Sequence, residues 1–371
     1  MITSMHIENF KCFKDFTIDL GPFNVLIGPN DSGKTSFLQA IRLLSLFGER
    51  PELRESIVEE SYFRGIPVDY PVGLESVWRN APELRVVIAA AGSAQDGQRR
   101  GISVRAGRLP DGRFCYWSQV EQITVRGLPT YPHDQAEAPR PQKPPDWSEW
   151  HAAAIGRVPY LRFVPDALRK PSPLTQETLR MAPNGEGLAN YLQDIWGADG
   201  GREAFLAMEQ EFYRRFPEYK QLVIEKRQVR QSGQTGPAVS FATRHAEKLT
   251  ADSVSDGAIL ALGYLAVCYN PVPPRILLVE EPETGIHHSR LKEVIQTLRG
   301  LVDGKGVQVI MTTHSPYLLD EAEMNEVHVF EKDAEGAVHA KKLLDYEGAA
   351  EISNMFSTGE KWSLLSEKFG I

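Results

Sequence analysis

A phosphate-binding loop is the clearest chemical motif in this chain. Residues 28–35 read GPNDSGKT, with an apolar run at 23–27 before them and a helical pattern at 36–47 after them. In this strand–loop–helix context, backbone N–H groups and the positive end of the helix cradle the phosphates of ATP. The predicted nucleotide-binding residues of the loop are Gly28, Asn30, Asp31, Ser32, Gly33, Lys34, Thr35 and Ser36.

Two side chains of the loop have chemistry of their own. Lys34 is predicted to neutralise the β- and γ-phosphates and in this way to act in catalysis. The hydroxyl of Thr35 is predicted to be a ligand of Mg²⁺, because this small, hard ion prefers oxygen atoms close to phosphates. ATP and Mg²⁺ are therefore the expected cofactors.

A second motif places two carboxylates at the end of an apolar strand. Residues 275–283 read RILLVEEPE, and an unpaired carboxylate is costly beside a buried strand. We predict that Glu280 holds Mg²⁺ and that Glu281 polarises the attacking water. Because successive strand residues face opposite sides, these two roles require a bend at the strand end, next to Pro282. A solvated acidic turn is the alternative interpretation.

A third motif, VIMTTHSP at 309–316, is a second apolar strand that ends in polar side chains. Parallel sheets bind their ligands at the carboxyl ends of their strands. We therefore predict that His314 lies near the γ-phosphate, where hydrogen bonding lets it sense the leaving group. A structural histidine with no part in catalysis is the alternative.

A fourth motif begins an apolar helix with small polar residues, at 252–269. Ser253 or Ser255 can cap this helix, which is the plain structural interpretation. The helix start also offers a hydroxyl and N–H groups to an anion. Since the phosphate loop already holds one triphosphate, we predict that Ser255 and Gly257 bind the ATP of another subunit.

Size, charge and cysteine content limit the class of protein. A chain of 371 residues exceeds the size at which one core stops growing, so two lobes or a core with an insertion are expected. A net charge of −8 disfavours a protein that coats nucleic acid but allows a local basic face. Cys12, Cys115 and Cys268 lack metal-type spacing and indicate a reducing compartment. No leader peptide or membrane span is recognisable, so we expect a cytoplasmic protein with no membrane partner.

The sequence pattern divides the chain into three segments. Strand-like runs surround the phosphate loop, six prolines between 129 and 145 mark an irregular connection, and residues 174–216 show helical periodicity. Farther on, strand–helix–strand alternation indicates βαβ units of a parallel sheet. We predict an N-terminal ATPase lobe at 1–128, a proline-rich linker with an inserted, mainly helical lobe at 129–245, and a C-terminal ATPase lobe with a tail at 246–371.

In this order and spacing, the motifs GPNDSGKT, VSDGA, LLVEEPETGIHH and VIMTTHSP resemble the ABC-type ATPase heads of the RecF, SMC and OLD (overcoming lysogenization defect) group. The resemblance covers residues 1–128 and 246–345. It implies an α/β fold of the P-loop NTPase class: an ABC-ATPase-like head with a mixed or parallel core sheet, an antiparallel β flap and an inserted helical lobe. It also implies that two heads enclose two ATP molecules, each site completed by the signature serine of the other head. A homodimer on ATP binding, or a higher oligomer, is therefore expected.

The resemblance also bears on residues outside the main motifs. It assigns Lys11 to a basic position that touches nucleotide phosphates, with a solvated surface lysine as the alternative, and it assigns 285–287 to the dimer interface. Asp31, Glu280 and His288 depart from the glycine, aspartate and proline that are frequent there. A second acid beside the phosphates is expected to weaken ATP binding or to slow turnover.

The same resemblance suggests a biological role. Coiled-coil arms and a Toprim nuclease domain are not expected, because the insert is short and little chain follows the last ATPase-like strand. Nuclease or toxin activity is therefore expected in a separate effector protein. We predict an ATP-hydrolysing switch in DNA repair or anti-phage defence. The alternatives are the nucleotide-binding subunit of an ABC transporter and a non-hydrolysing regulatory binder.

A basic stretch at 214–248 is a candidate surface for DNA. Its basic residues are Arg214, Arg215, Lys220, Lys226, Arg227, Arg230, Arg244 and Lys248, with Tyr213 and Tyr219 between them. Such a strip can follow a phosphate backbone. A solvated face of mixed charge explains the same residues, and the sequence leaves both interpretations open.

Overall fold

The computed structural model describes most of the chain. The described residues are 1–49, 58–59, 83–90, 99–108, 114–123, 158–172, 181–228, 235–245, 247–347 and 357–369. The predicted connection at 129–145 and Arg230 of the basic stretch lie outside the described residues. The chain divides into two compact units: unit 1 is Met1–Val158, Met324–Phe356 and Lys361–Ile371, and unit 2 is Pro159–Glu323 and Ser357–Glu360.

Unit 1 contains an antiparallel sheet with the strand order β2-β1-β5-β6-β7-β4. Its strands are β1 (Ile2–Phe10), β2 (Phe13–Asp19), β4 (Val58–Glu59), β5 (Glu83–Ala90), β6 (Arg99–Arg108) and β7 (Phe114–Ile123). The register places Met5 beside Ile18 and Ile7 beside Phe16, and all four side chains are buried. Alternation of apolar and polar residues has thus produced one buried face. This sheet confirms the predicted antiparallel flap.

In unit 1 the phosphate loop connects a strand of a parallel pair to a helix. Strand β3 (Phe23–Ile27) precedes the loop and runs parallel to β14 (Val327–Lys332), which pairs on its other side with antiparallel β15 (Val338–Lys342). Helix α1 (Lys34–Glu49) begins inside the loop. The rings of Phe16, Phe37 and Phe330 meet with centroids 5.5 to 5.9 Å apart. Burial of each ring contributes roughly 1.5–3 kcal/mol, so this cluster fixes α1 against β2 and β14.

Unit 2 contains a parallel sheet and a second antiparallel sheet. Its strands are β8 (Tyr160–Leu161), β9 (Tyr219–Gln228), β10 (Thr235–Thr243), β11 (Lys248–Thr250), β12 (Ile276–Glu280) and β13 (Gln308–Thr312). Its helices are α2 (Pro165–Arg169), α3 (Leu188–Gly197), α4 (Gly201–Arg215), α5 (Asp256–Tyr269), α6 (His288–Lys305) and α7 (Pro316–Leu319), and α8 (Thr358–Phe369) follows later in the chain. Strand β12 runs parallel to both β8 and β13. The β12–α6–β13 unit confirms the predicted strand–helix–strand alternation.

Helix α5 passes through the core of unit 2. It is buried from Ala258 to Cys268, as expected for a helix that is apolar on all sides. Its start, at Ser255 and Asp256, is exposed. No helix in the described part of the chain is long and apolar enough to cross a membrane.

The segment between the two ATPase-like regions is both helical and β-stranded. Helices α3 and α4 agree with the helical periodicity of the sequence, whereas the β11-β10-β9 sheet was not predicted. Buried and exposed residues do not alternate strictly along β9, so the hydrophobic pattern of the sequence did not indicate a strand there. Phe212 stacks on Phe216, Tyr219 and Phe241 with centroids 5.0 to 5.8 Å apart. This aromatic cluster joins α4 to the sheet.

Candidate functional site

The phosphate loop has a backbone conformation that requires glycine at two positions. Gly28 has a φ of +151° and Gly33 a φ of +93°. A Cβ atom added at Gly28 would lie 2.2 Å from the carbonyl oxygen of Phe330, and one at Gly33 would lie 2.9 Å from Sγ of Cys12. Real Cβ atoms do not approach other atoms so closely. Strand β14 and the β1–β2 turn therefore leave room for glycine alone.

Lys34 lies inside the loop that precedes it. Its ammonium group donates hydrogen bonds to the carbonyl oxygens of Gly28 and Pro29, both at 2.8 Å, and to Oγ of Ser32 at 3.3 Å. Lys34 is 5% exposed, so the loop is folded around its positive charge. The first N–H groups of α1 have no acceptor within the helix. Ammonium and N–H donors at one place are the donor set that a phosphate group requires.

Asp31 stands where glycine is frequent in this loop, in a conformation that aspartate tolerates. Its φ is +65°, in the left-handed region that aspartate and asparagine tolerate best among residues with a side chain. The Asp31 side chain is 91% exposed and pairs with Lys332 at the end of β14. This ion pair offsets the charge that the sequence predicted to weaken ATP binding.

The remaining side chains of the loop are those of Asn30, before α1, and of Thr35 and Ser36, in its first turn. Asn30 is exposed, while Thr35 and Ser36 are half-buried. Ser36 forms a hydrogen bond with the thiol of Cys12, and burial raises the pKa of that thiol. Cys12 therefore remains protonated at neutral pH and serves as packing for the loop.

Lys11 lies in the β1–β2 turn and reaches helix α1. Its φ is +51°, and its ammonium group donates a hydrogen bond of 2.6 Å to Oε1 of Gln39. The side chain is therefore held against the helix that follows the phosphate loop. Its contact with nucleotide phosphates stays a prediction.

Glu280 is a buried carboxylate at the end of β12. It is 2% exposed, and its Oε2 accepts a hydrogen bond from the hydroxyl of Tyr160. The guanidinium of Arg162 lies 3.5 Å from the same oxygen. Both partners belong to β8 and the residue after it, a strand parallel to β12. Hydrogen bonding and the nearby cation offset the cost of burying this charge.

Glu281 occupies a strained turn directly after β12. Its φ is +46°, unusual for a residue with a long side chain. Its N–H donates to the carbonyl oxygen of Thr312 at 3.1 Å and lies 3.3 Å from Oγ1 of the same residue. The chain thus bends between the two acidic residues, as separate roles for them require. The neighbouring strand β13 holds the bend in place.

His314 lies beside Glu281, at the end of the neighbouring strand. Nε2 of His314 is 3.4 Å from Oε1 of Glu281, and both side chains are partly exposed. Glu283 accepts hydrogen bonds from the backbone N–H of His314 and from the hydroxyl of Thr313, both at 2.8 Å on Oε1. The motif analysis assigned no role to Glu283, although its spacing from Glu281 was visible in the sequence.

Ser255 caps helix α5 and is exposed. Its Oγ accepts a hydrogen bond of 3.3 Å from the N–H of Ala258. Arg169 at the end of α2 fixes the chain on both sides of it. The guanidinium donates to the carbonyl oxygens of Ala251 and Val254, at 3.1 and 2.8 Å, and to the carboxylate of Asp256. The capping prediction and the anion-site prediction for Ser255 are both compatible with this geometry.

The predicted interface loop, 285–287, leads into helix α6. Gly285 has a φ of +82°, and a Cβ there would lie 3.2 Å from Cδ1 of Leu260 and 3.4 Å from Cγ of Pro165. His287 is exposed. The side chain of His288 is not among the described ones.

Arg290, in the first turn of α6, touches two other segments of unit 2. Its guanidinium lies over the ring of Phe216 at 4.3 Å and donates to the carbonyl oxygen of Arg215 at 3.1 Å. A Cβ added at Gly257 would lie 4.0 Å from its Cδ. Arg290 therefore joins the start of α6 to the α4–β9 corner, and its side chain lies near the start of α5.

Many basic residues of the 214–248 stretch are already engaged within unit 2. Hydrogen bonds from Arg214 lower the pKa of Glu211 to about 2, and Arg215, also bound to Glu211, is 7% exposed. Lys248 pairs with Glu225. Tyr219 is 7% exposed within the aromatic cluster, and Tyr213 donates a hydrogen bond to Glu209. Among the described residues of the stretch, the exposed cations that form no ion pair mentioned above are Lys220, Lys226 and Arg244, whereas Arg214 and Lys248 are exposed but paired with carboxylates.

Within each unit the structure brings predicted site residues together. In unit 1 the structure brings together the loop residues 28–36 and, through α1, Lys11. In unit 2 it brings together Glu281 and His314, with Glu280 at the adjoining strand end. Tyr160, Arg162 and Glu283 were missed. Tyr160 lies on a two-residue strand that is too short for any periodic signal, and Arg162 directly follows that strand.

Comparison with known families agrees with this site. Residues 137–320 match a family model described as "AAA domain, putative AbiEii toxin, Type IV TA system", and residues 1–58 match one described as "AAA ATPase domain". Over 62 residues the chain is 36% identical to an OLD nuclease of Thermus scotoductus, a stretch that is 17% of this chain and 12% of that protein. Over 47 residues it is 45% identical to the DNA replication and repair protein RecF of Limosilactobacillus reuteri, 12% of this chain and 13% of RecF. The match thus spans only a small part of these relatives.

Two solved structures resemble nearly the whole chain. One is an SMC head bound to the C-winged helix domain of ScpA, with a TM-score of 0.56, 14% identity and coverage of 92% of this chain and 97% of that one. The other is an SMC head with an extended coiled coil bound to the C-terminal domain of ScpA, from Pyrococcus furiosus, with a TM-score of 0.51, 12% identity and coverage of 99% of both chains. At these identities the likeness concerns the fold.

The fold is therefore that of an ABC-ATPase-like head of the P-loop NTPase class, as predicted. The family matches at both sites carry the assignment further. Both family models are of AAA ATPases and the relatives are an OLD nuclease and RecF, so the chain is similar to AAA-family ATPases of the RecF and OLD kind, in agreement with the resemblance seen in the motifs.

Proposed function

We propose that this protein binds and hydrolyses ATP and that ATP binding joins two copies of it. The observation that carries the proposal is the loop around Lys34, where a buried ammonium group and the first N–H groups of α1 are held by a backbone that only glycine can form at residues 28 and 33. Such an arrangement suits a polyphosphate.

The residues present suit Mg²⁺ as well as ATP. The hydroxyl of Thr35 and the carboxylate of Glu280 are oxygen ligands of the kind this ion prefers, and these are the residues that would hold it. Bound Mg²⁺ supplies positive charge that neutralises the phosphate oxygens. Glu280 is fixed by Tyr160 and Arg162, so its carboxylate is oriented before any ligand arrives.

The hydrolytic step is assigned to Glu281 and His314. Glu281 is partly exposed at the strained turn after β12, where its carboxylate accepts a proton from water and orients it for attack. His314, 3.4 Å away, donates a hydrogen bond toward the phosphate that leaves. Lys34 stabilises the negative charge that develops on the phosphates.

Dimerisation is supported by the position of Ser255. The serine is exposed at the start of α5, and Arg169 holds the backbone on both sides of it. A rigid, exposed hydroxyl with Gly257 two residues later suits a triphosphate that a second copy presents. This arrangement supports a homodimer that ATP closes and hydrolysis opens, and larger oligomers are compatible with it.

We place the protein in DNA repair or anti-phage defence, in the cytoplasm. The names of its relatives support this role, since one is a DNA replication and repair protein, one is a nuclease, and the family model refers to a toxin–antitoxin system. A separate nuclease or toxin effector is the proposed partner. The free thiols of Cys12 and Cys268 suit a reducing compartment.

The proposed ATP site is tested by titrating the full chain with ATP. Lys34→Ala is expected to abolish binding, because it removes the main cation of the loop. Lys14→Ala is the matched control, since this lysine lies in the same unit, is 56% exposed and pairs with Glu335. Unchanged ATP affinity in Lys34→Ala would remove the proposed function.

A further inference from the structure

Glu283 is tied to the end of β13 by three connected hydrogen bonds. Its Oε1 accepts from the hydroxyl of Thr313 and from the N–H of His314, both at 2.8 Å. Oγ1 of Thr313 accepts in turn from the N–H of Ser315 at 2.9 Å. Thr313 is fully buried, so this small network sets the direction in which the chain leaves the strand.

The turn that follows β12 carries both Glu281, which lies beside the ring of His314, and Glu283, which binds the backbone of His314. Glu281 and Glu283 are two residues apart, and the turn between them is closed by the N–H of Thr284 on the carbonyl oxygen of Glu281 at 3.0 Å. One carboxylate lies beside the imidazole of His314, and the other binds its backbone. The backbone bond therefore fixes where the imidazole lies relative to Glu281.

Glu283 is costly for stability at this position. Its Oε2 is buried and has no hydrogen-bond partner among the described residues, and a buried polar atom without a partner is unfavourable. Tyr264 of α5 is fully buried nearby, and burial followed by the charge of Glu283 raises the pKa of its hydroxyl. A residue that serves only the fold would not need to bury a polar atom without a partner here.

We propose that Glu283 is a positioning residue that sets the imidazole of His314 against the carboxylate of Glu281. This inference rests on the proposed function, because it gives Glu283 a part in the same hydrolytic step. Glu283 acts through His314 and touches no substrate itself. Its essential property is a correctly placed acceptor oxygen, and its negative charge is secondary.

Three variants of the full chain separate these properties. Glu283→Gln keeps an acceptor oxygen in the same place and removes the charge. Glu283→Asp keeps the charge, but its side chain is shorter by one methylene group, so the acceptor oxygen lies farther from Thr313 and His314. Glu283→Ala removes both, and Glu247→Ala is the control because Glu247 is an exposed glutamate of the same unit.

The first measurement is the NMR signal of the His314 ring in protein with ¹³C-labelled histidine and no nucleotide. The signal is assigned by its loss in His314→Asn. We expect it to move or broaden in Glu283→Ala and Glu283→Asp and to stay near the wild-type position in Glu283→Gln and Glu247→Ala. Unchanged signals of the other histidines show that a variant is folded. An unmoved His314 signal in Glu283→Asp or Glu283→Ala would overturn the proposal.

The second measurement is ATP hydrolysis. Glu283→Ala and Glu283→Asp are expected to lower kcat about tenfold with little change in KM, and Glu283→Gln to restore most of the rate. In a His314→Ala background, Glu283→Ala is expected to cost nothing further, because it acts through the missing imidazole. Additive losses contradict the proposal. A wild-type chain that hydrolyses no ATP refutes the proposed function instead, and the ring signal still decides the role of Glu283.

Discussion

The hydroxyl of Tyr160 donates a hydrogen bond to the buried carboxylate of Glu280, although 120 residues separate the two in sequence. This bond links the short strand β8 to the end of β12. Together with Arg162, it orients a carboxylate that is 2% exposed. The first residues of unit 2 therefore belong to the candidate site as much as the acidic motif itself does.

Tyr160→Phe is expected to lower the free energy of unfolding by about 1–3 kcal/mol, because a buried charged acceptor loses its donor. Urea denaturation measures this change. Tyr317→Phe is the control, since Tyr317 is 64% exposed and its loss of a hydroxyl should matter by less than about 0.5 kcal/mol. Equal free energies of unfolding in the two variants would show that the hydrogen bond of Tyr160 contributes nothing to stability.

Glu281→Gln is expected to bind ATP normally but to hydrolyse it at least about 100-fold more slowly, because the general base is lost. The ATP-bound dimer should then persist, and sedimentation velocity at saturating ATP measures its fraction. Glu247→Gln, at an exposed site, should behave as the wild type. A Glu281→Gln protein that stays monomeric with ATP bound would argue strongly against closure of two heads. Proteins that co-purify with the trapped form identify the effector.

Gly33→Ala is expected to destabilise unit 1 and to weaken ATP binding. The added Cβ meets Sγ of Cys12 at 2.9 Å, and a φ of +93° is strained for alanine. Gly300→Ala in α6 is a control of opposite sign, since a Cβ there meets nothing within 4 Å and alanine favours a helix by up to about 1 kcal/mol. Thermal unfolding and ATP titration measure the two effects. A Gly33→Ala protein with wild-type ATP affinity would exclude the close-packed loop.

The stability of unit 1 is expected to depend on pH through His328. This residue of β14 is 2% exposed, and its Nε2 lies 3.3 Å from Oδ1 of Asn24. Burial, and then the charge of Lys342, lowers the pKa of His328 from 6.5 to about 4. Between these values the unfolded chain binds a proton that the folded chain excludes, so stability falls as the pH is lowered through this window. The loss at the acid end is on the order of 3 kcal/mol.

His328→Gln is the matched variant for this pH dependence, because glutamine can donate to Asn24 but does not titrate in the window. Urea midpoints between pH 7 and pH 4.5 should fall more steeply for the wild type than for the variant. Parallel slopes would mean that other groups cause the pH dependence.

DNA binding, if it uses the basic stretch, should weaken steeply with salt, because bound phosphates release counterions. Lys220→Ala, Lys226→Ala and Arg244→Ala are each expected to reduce the slope of log affinity against log salt by about 1, while Lys14→Ala leaves it unchanged. Fluorescence anisotropy with a labelled duplex measures the slope. A flat salt response would exclude this surface as a DNA site.

The sequence predicted those parts of the site that are local in the chain. The phosphate loop, the cap at Ser255 and the strands that end at Glu280 and Thr312 follow from short motifs, because each depends on neighbouring residues. The bend at Glu281 followed from the alternation of strand side chains.

The sequence could not predict partners that come from distant segments. Tyr160 and Arg162 reach Glu280, and Lys332 reaches Asp31 across 301 residues. Such pairs depend on strand order, which no single motif contains. The sheet of β9, β10 and β11 was missed for a different reason. Its apolar residues do not alternate strictly with polar ones, because their positions depend on contacts with the rest of the fold.

The contact of Arg290 with Phe216 has a practical consequence for protein engineering. One guanidinium seats the first turn of α6 on an aromatic ring and on the carbonyl oxygen of Arg215. A chimaera that receives the α3–α4 segment of a relative must therefore keep both Arg290 and an aromatic ring at position 216. Without that ring, α6 would lose its contact with the α4–β9 corner. The exchange would then disturb the acidic motif before α6, although it replaced none of that motif's residues.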